Sequence, residues 1–202
     1  MPDARVIVPL RVGFGVLPLI AVGRQWLIHA GLGFSTANFF SYFTNLANIF
    51  AGSMLLLGAW TARRVRGGRV YEMLRALAAV SMLVVGLVFT VLLRKVDLGS
   101  LRPWVNVTLH YVMPCIVVAD WFAWPPSRVL STRDLAWCMA APSAYLAYVL
   151  IRGARVGWYP YPFLDPRVVG GYGLVAAYAM GIAGVFLAGT AVLSRVVRIY
   201  RP

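Results

Sequence analysis

The chain predicts an all-α integral membrane bundle of six transmembrane helices, forming a single domain over residues 1–202. Three observations carry that reading. Hydrophobic residues make up 61% of the chain and charged residues 12%, about half the charged fraction of an ordinary soluble domain. Apolar stretches of bilayer-spanning length recur along the sequence. Between them the arginines gather in short segments, as expected of helices anchored at headgroup level.

The spans fall near 7–28, 39–60, 73–93, 103–123, 134–151 and 170–194. The opening "MPDARVIVPLRVGFGVLPLIAVGRQW" mimics a signal peptide, with arginines ahead of an apolar run. No small-residue cleavage site leads from it into a soluble chain, so it reads as the first span. The second span opens on "SYFTNLAN" (41–48) and continues through an apolar run, Ile49 to Trp60, interrupted only by Ser53. "RRVRGGR" (63–69) precedes the third span and "RKVDLGSLR" (94–102) follows it. The fourth starts at Pro103, the fifth after "PPSRVLSTR" (125–133), and the sixth after "RGARVGWYPYPFLDPR" (152–167). Glycines 170, 171, 173, 181, 184 and 189 mark the sixth as a close-packing helix.

Arginines of the N-terminus, the 2–3 and 4–5 loops and the C-terminus outnumber the cations of the opposite side. The positive-inside rule therefore places both termini in the cytoplasm, in a plasma or bacterial inner membrane. The formal charge of +13 resides at span ends, where it meets anionic lipid, and nucleic acid is not an expected partner. Cys115 and Cys138 lie in apolar segments without CxxC spacing, and His29 and His110 are the only histidines. Neither a disulfide framework nor a metal site is expected, and no cofactor.

Polar residues inside spans are the functional candidates, because each is costly in hydrocarbon unless satisfied. At about 100° per residue, Ser41, Thr44, Asn45 and Asn48 fall within one stripe about 100° wide. Taken alone, that stripe fits interhelical glue as well as a polar cavity. In the fourth span, Asn106, His110, Met113, Val117 and Asp120 share a face. From the 1.5 Å rise, Thr44 lies about 7 Å and His110 about 10 Å below the external ends of their spans. Asp120 lies about 15 Å beyond His110, which disfavours a Ser-His-Asp type triad and suggests an ion pair with Arg128 or Arg133. Pro114 removes the hydrogen bond to the His110 carbonyl and opens the helix there. "NVT" (106–108) spells a glycosylation sequon but lies inside a span. The loop "WYPYPFLDP" (158–166) reads as an aromatic belt, or as a stiff lip over an external opening to which Tyr159 and Tyr161 contribute.

A threonine hydroxyl needs a base to become a nucleophile, and a neutral imidazole serves near neutral pH. Thr44 and His110 can form that pair, with Asn45, Asn48 or Asn106 orienting the imidazole or stabilising an oxyanion. A site open sideways to lipid would take long-chain acyl esters.

"FSYFTNLAN", "LHYVMPCIVVADW" and "YPYPFLD", in that order, resemble the androgen-induced/androgen-dependent membrane protein family, whose bacterial relatives are six-span proteins. The resemblance implies a multipass threonine hydrolase acting on fatty acid esters of hydroxy fatty acids or similar lipids. Thr44 in "YFTN" and His110 in "LHYVMP" match the family's catalytic pair. Two other readings stand beside it: a proton- or lipid-coupled carrier using His110 and Asp120, and a non-catalytic lipid-binding protein.

Overall fold

The structure is a computed structural model that describes residues 4–62, 68–97, 99–126 and 131–199. Every regular element among them is helical. In chain order these are α1 (Ala4–Gly31), α2 (Thr36–Phe39), α3 (Phe43–Thr61), α4 (Arg69–Val88), α5 (Pro103–Val107), α6 (Met113–Ala123), α7 (Thr132–Val156), α8 (Pro166–Val169) and α9 (Tyr172–Ile199). A π turn, Phe89–Leu93, extends α4, and another, Thr108–Val112, joins α5 to α6. The second sits where Pro114 has no N–H to give the His110 carbonyl, the opening expected from the sequence.

Five segments are long and apolar enough to cross a membrane: Ala4–Gly31, Phe43–Thr61, Arg69–Leu93, Pro103–Ala123 and Tyr172–Arg195. Large apolar side chains on them, such as Ile20, Leu27, Val91, Met180 and Leu187, point out of the bundle, as helices facing hydrocarbon require. α7 occupies the place of the fifth expected span and has 25 residues. Asp134, Pro142, Ser143, Tyr145, Tyr148 and Arg152 dilute its apolar character, and it is not among the five.

α7 nevertheless runs the length of the bundle. At its start, the Ser131 capping box holds Asp134, which accepts a hydrogen bond from Arg69 at the head of α4 (2.7 Å). Near its end, Arg152 donates to Asn38 of α2 (2.7 Å).

The core forms around α4, whose Ala76, Ala79, Val80, Met82 and Val85 are buried between α3, α6 and α9. α1 lies against α3 almost backbone to backbone. A Cβ on Gly52 would lie 2.7 Å from the Gly15 carbonyl oxygen and 2.8 Å from the Pro18 ring, a clash that keeps this crossing glycine-dependent.

Two expectations from the sequence are corrected here. The second span does not begin as a helix at residue 39. α2 ends at Phe39, the chain turns through residues 40–42, and α3 starts at Phe43. Ser41 therefore leaves the helical stripe, and Thr44 sits in the first turn of α3 rather than a turn and a half down. Side chains stabilise the break: Ser35 caps α2 by accepting from Asn38 N–H, and Asn45 Nδ2 reaches back to the Phe39 carbonyl (2.7 Å).

Asp120, moreover, pairs with Arg11 and Arg75 instead of Arg133, while Arg128 lies outside the described residues. Arg11 meets the carboxylate through Nε (2.6 Å) and Nη2 (3.0 Å), and Arg75 through Nη2 (3.2 Å). Arg75 also bonds Glu72 (3.2 Å) and the Trp124 carbonyl (2.8 Å), while Arg11 lies over the Trp124 ring. Two guanidiniums from α1 and α4 thus converge on the end of α6, because a carboxylate in this apolar setting needs paired charge. Asp120→Asn should destabilise the protein by about 3–5 kcal/mol, since it leaves Arg11 and Arg75 short of countercharge. A thermal melt in detergent micelles checks this, and an unchanged midpoint would refute it.

Candidate functional site

A helix leaves its first N–H groups without intrahelical partners, and hydrocarbon offers none. At the start of α3 the Tyr42 side chain supplies no cap. Two tyrosines from distant segments do so instead. The Phe43 N–H donates to Tyr145 Oη of α7 (3.1 Å), and the Thr44 N–H donates to Tyr161 Oη (3.2 Å). Tyr145 Oη in turn donates a hydrogen bond to the Ser41 carbonyl (2.9 Å). Ser41 Oγ donates to the Ala37 carbonyl (2.7 Å), which leaves Tyr148 Oη to donate to Ser41 (2.8 Å).

One turn further along α3, fully buried Asn48 joins the second span to the fourth. Its Nδ2 donates to the carbonyls of Thr44 (2.9 Å) and Leu109 (3.1 Å). Its Oδ1 has no hydrogen-bond partner among the described residues. The residue after Leu109 is His110, 7% exposed. Its Nδ1 lies 3.1 Å from the Asn106 backbone carbonyl and 2.7 Å from Asn106 Oδ1. A backbone carbonyl only accepts, so Nδ1 carries the proton and the lone pair of the neutral ring sits on Nε2. Among the described residues Nε2 makes no hydrogen bond. The ring stacks on Phe89 of the first π turn at 3.9 Å and 19°.

A cavity of about 120 Å³ opens beside this cluster, between the head of α3, α4, α7, α9 and residues 161–164. Its walls are mostly apolar, with Val84, Val88, Leu146, Phe163, Ile182 and Phe186 among them. Thr44, Ser143, Tyr145 and Tyr161 are the lining residues that carry hydroxyls. Thr44 Oγ1 is 3.5 Å from Tyr161 Oη. His110 does not line the cavity, but Phe89, its stacking partner, does. Thr44 and His110 are thus neighbours through Asn48, with no hydrogen bond between their side chains among the described residues.

The other expected site residues divide. Asn106 holds the imidazole. Asn45 ties the helix break, and Ser41 belongs to the tyrosine network. Asp120 sits in the ion-pair network at the far end of α6. Tyr161 lines the cavity, but Tyr159 does not. Tyr159 packs on Gly153 under the Arg167 guanidinium, at 5.8 Å. Arg167 in turn bonds Asp165 and the Gly157 carbonyl (2.9 Å), and its side-chain hydrogen bonds hold the Asp165 carboxyl below the ordinary carboxylate range. These bonds make the loop a fixed rim.

Sequence reasoning missed Tyr145, Tyr148, Phe89, Arg11 and Arg75. Tyr145 and Tyr148 carried a usable signal, two phenols three residues apart on one helix face in mid-span. Phe89 carried none, because one more phenylalanine in an apolar run is indistinguishable from core. Among the described residues no group of three or more His, Cys, Asp or Glu gathers to hold a metal.

Comparison with known protein families, with curated proteins and with solved structures finds no match to this chain.

Asn48→Leu should lower the melting midpoint in detergent, since two buried carbonyls lose a donor, at about 1–3 kcal/mol each. Leu46→Ala, on the outward side of the same turn, serves as control and should shift stability by no more than about 0.5 kcal/mol. Equal melting of the two variants would remove Asn48 as the clamp.

Proposed function

We propose that the chain is a membrane-embedded threonine hydrolase of long-chain acyl esters, with Thr44 as nucleophile and His110 as general base. The observation that carries this reading is the pairing of environments. Thr44 lines a largely apolar cavity suited to an acyl chain, and the neighbouring His110 is held by Asn106 in the tautomer whose Nε2 accepts a proton. Resting enzymes often keep such pairs apart until substrate binds, and Phe89 is the side chain between the imidazole and the cavity wall. The likeness of "YFTN" and "LHYVMP" to the androgen-induced/androgen-dependent family supports the same pair, and with it fatty acid esters of hydroxy fatty acids or similar lipids as substrate.

The reading includes six crossings, with α7 as the fifth, and both termini in the cytoplasm of a plasma or inner membrane. The contacts of α7 at both ends of the bundle, to Arg69 and to Asn38, support a crossing by α7. A specific observation favours a second reading, in which the protein binds lipid without cleaving it: Thr44 Oγ1 touches Tyr161 rather than the imidazole. The carrier reading draws less support, since both carboxylate oxygens of Asp120 are engaged by arginines.

Purified protein should release free fatty acid from a lipid ester. Thr44→Ala and His110→Ala should each lower the rate at least about 10³-fold while the detergent melt stays near wild type. A fluorophosphonate probe should label wild type at Thr44. Full activity of Thr44→Ala removes the nucleophile, and ester retention without turnover in the wild type establishes the lipid-binding reading instead. For topology, single cysteines replacing Arg133 and Arg155, in a background lacking Cys115 and Cys138, should react with impermeant maleimide from opposite faces of the membrane. Labelling from one face refutes the crossing by α7.

A further inference from the structure

Tyr161 is the side chain that contacts the Thr44 hydroxyl, and it does so from inside the cavity. One lone pair of its phenol accepts the Thr44 N–H at 3.2 Å. That bond occupies a lone pair and leaves the phenol proton free to donate to another oxygen. The contact to Thr44 Oγ1, at 3.5 Å, is at the outer limit of a hydrogen bond, and either oxygen can donate in it, so it holds the phenol O–H only weakly against a ligand oxygen.

The ring itself is fixed. It lies nearly parallel to Phe163 (5.1 Å between centroids, 4°) and meets Tyr42 edge-on (5.6 Å). The group is buried and stands at the positive end of the 19-residue α3, where a developing negative charge is stabilised. Burial pushes the Tyr161 phenol above its ordinary pKa, so it keeps its proton at physiological pH.

We propose that Tyr161 is a catalytic residue that donates a hydrogen bond to the carbonyl oxygen of the acyl ester as that oxygen becomes an oxyanion. The proposal rests on the Thr44 hydrolase reading and assigns it the electrophile it otherwise lacks. In acylation, Thr44 Oγ bonds to the carbonyl carbon while its proton passes to His110 Nε2. The carbonyl π pair moves onto oxygen, held by the Tyr161 O–H, which is not transferred. When the pair returns, the bond to the alkoxy oxygen breaks, and that oxygen leaves with the proton from His110. Water attacks the acyl-threonine by the same sequence and restores Thr44, so ester and water become acid and alcohol. A preorganised donor accelerates this step because it faces the charge only where the charge develops. The N–H already bound to the phenol oxygen strengthens it as a donor.

The test is Tyr161→Phe, assayed for steady-state ester hydrolysis and for inhibition by a long-chain trifluoromethyl ketone, which mimics the tetrahedral adduct. A fall in kcat of about 10²–10³-fold is expected, with KM within about twofold and a parallel loss of ketone affinity. A purely structural tyrosine would change the melt and leave kcat per folded molecule and ketone affinity unchanged, and that result overturns the proposal while Thr44 stands. If wild type shows no hydrolysis that Thr44→Ala removes, the hydrolase reading fails and takes the proposal with it. Should Tyr161→Phe not fold, trifluorotyrosine at position 161 keeps the shape and lowers the phenol pKa. An alkaline loss of kcat that wild type lacks is then expected, and an unaltered pH profile overturns the proposal.

Discussion

The organisation of one end of this bundle depends on the unpaired N–H groups at the head of α3. In water the break between α2 and α3 would be unremarkable, because solvent would satisfy the first turn. In a hydrocarbon setting those donors need protein partners, and the Tyr42 side chain does not provide them. Tyr145 and Tyr161 do. By meeting that requirement, Tyr145 fixes α7 against α3, and Tyr161 pins the loop before α8 onto the same point. The cavity lies between the elements so tethered. One local defect in a helix therefore sets the positions of two remote segments and of the hydroxyls they carry.

The same requirement acts elsewhere with different chemistry. At the end of α6, Asp120 is neutralised by Arg11 and Arg75, which join α1, α4 and α6 through charge. At the opposite end of α1, buried Gln25 gives a hydrogen bond to the Ser100 carbonyl (3.0 Å) and takes one from the Arg102 N–H (3.1 Å). It thereby anchors the loop that feeds α5. The head of α3 is instead held by uncharged amides and hydroxyls. That difference leaves the cavity largely apolar and free of charged side chains, so filling it desolvates no ion. A charged lock at the far end gives stability without lining the cavity.

Legibility from the sequence varied by residue. Asn48 could be placed on an inward face by periodicity, and its bond to the Leu109 carbonyl joins the second and fourth spans, an adjacency the sequence left open. Ser41 could not be placed, because apolar periodicity runs straight through residues 39–48 and gives no sign of the turn at 40–42. The partner of Asp120 was misread for a related reason. Proximity along the chain favoured arginines after the fourth span, whereas Arg11 and Arg75 approach from other helices whose packing no single-chain pattern specifies.

Composition and periodicity alone pointed to a helical, apolar chain with recurring segments of membrane-spanning length, which they numbered six where the structure shows five that are long and apolar enough, and to an inward face for Thr44, Asn45 and Asn48. These follow from local properties: hydrocarbon excludes unpaired backbone, and the helical repeat assigns each side chain a face. Only the tertiary structure decided which polar groups meet. It brought Tyr145 and Tyr161 to the head of α3, stacked Phe89 on His110, and set Thr44 on the cavity wall. Each of these joins residues from separate helices or loops, and such contacts arise from how helices cross and where their ends lack partners.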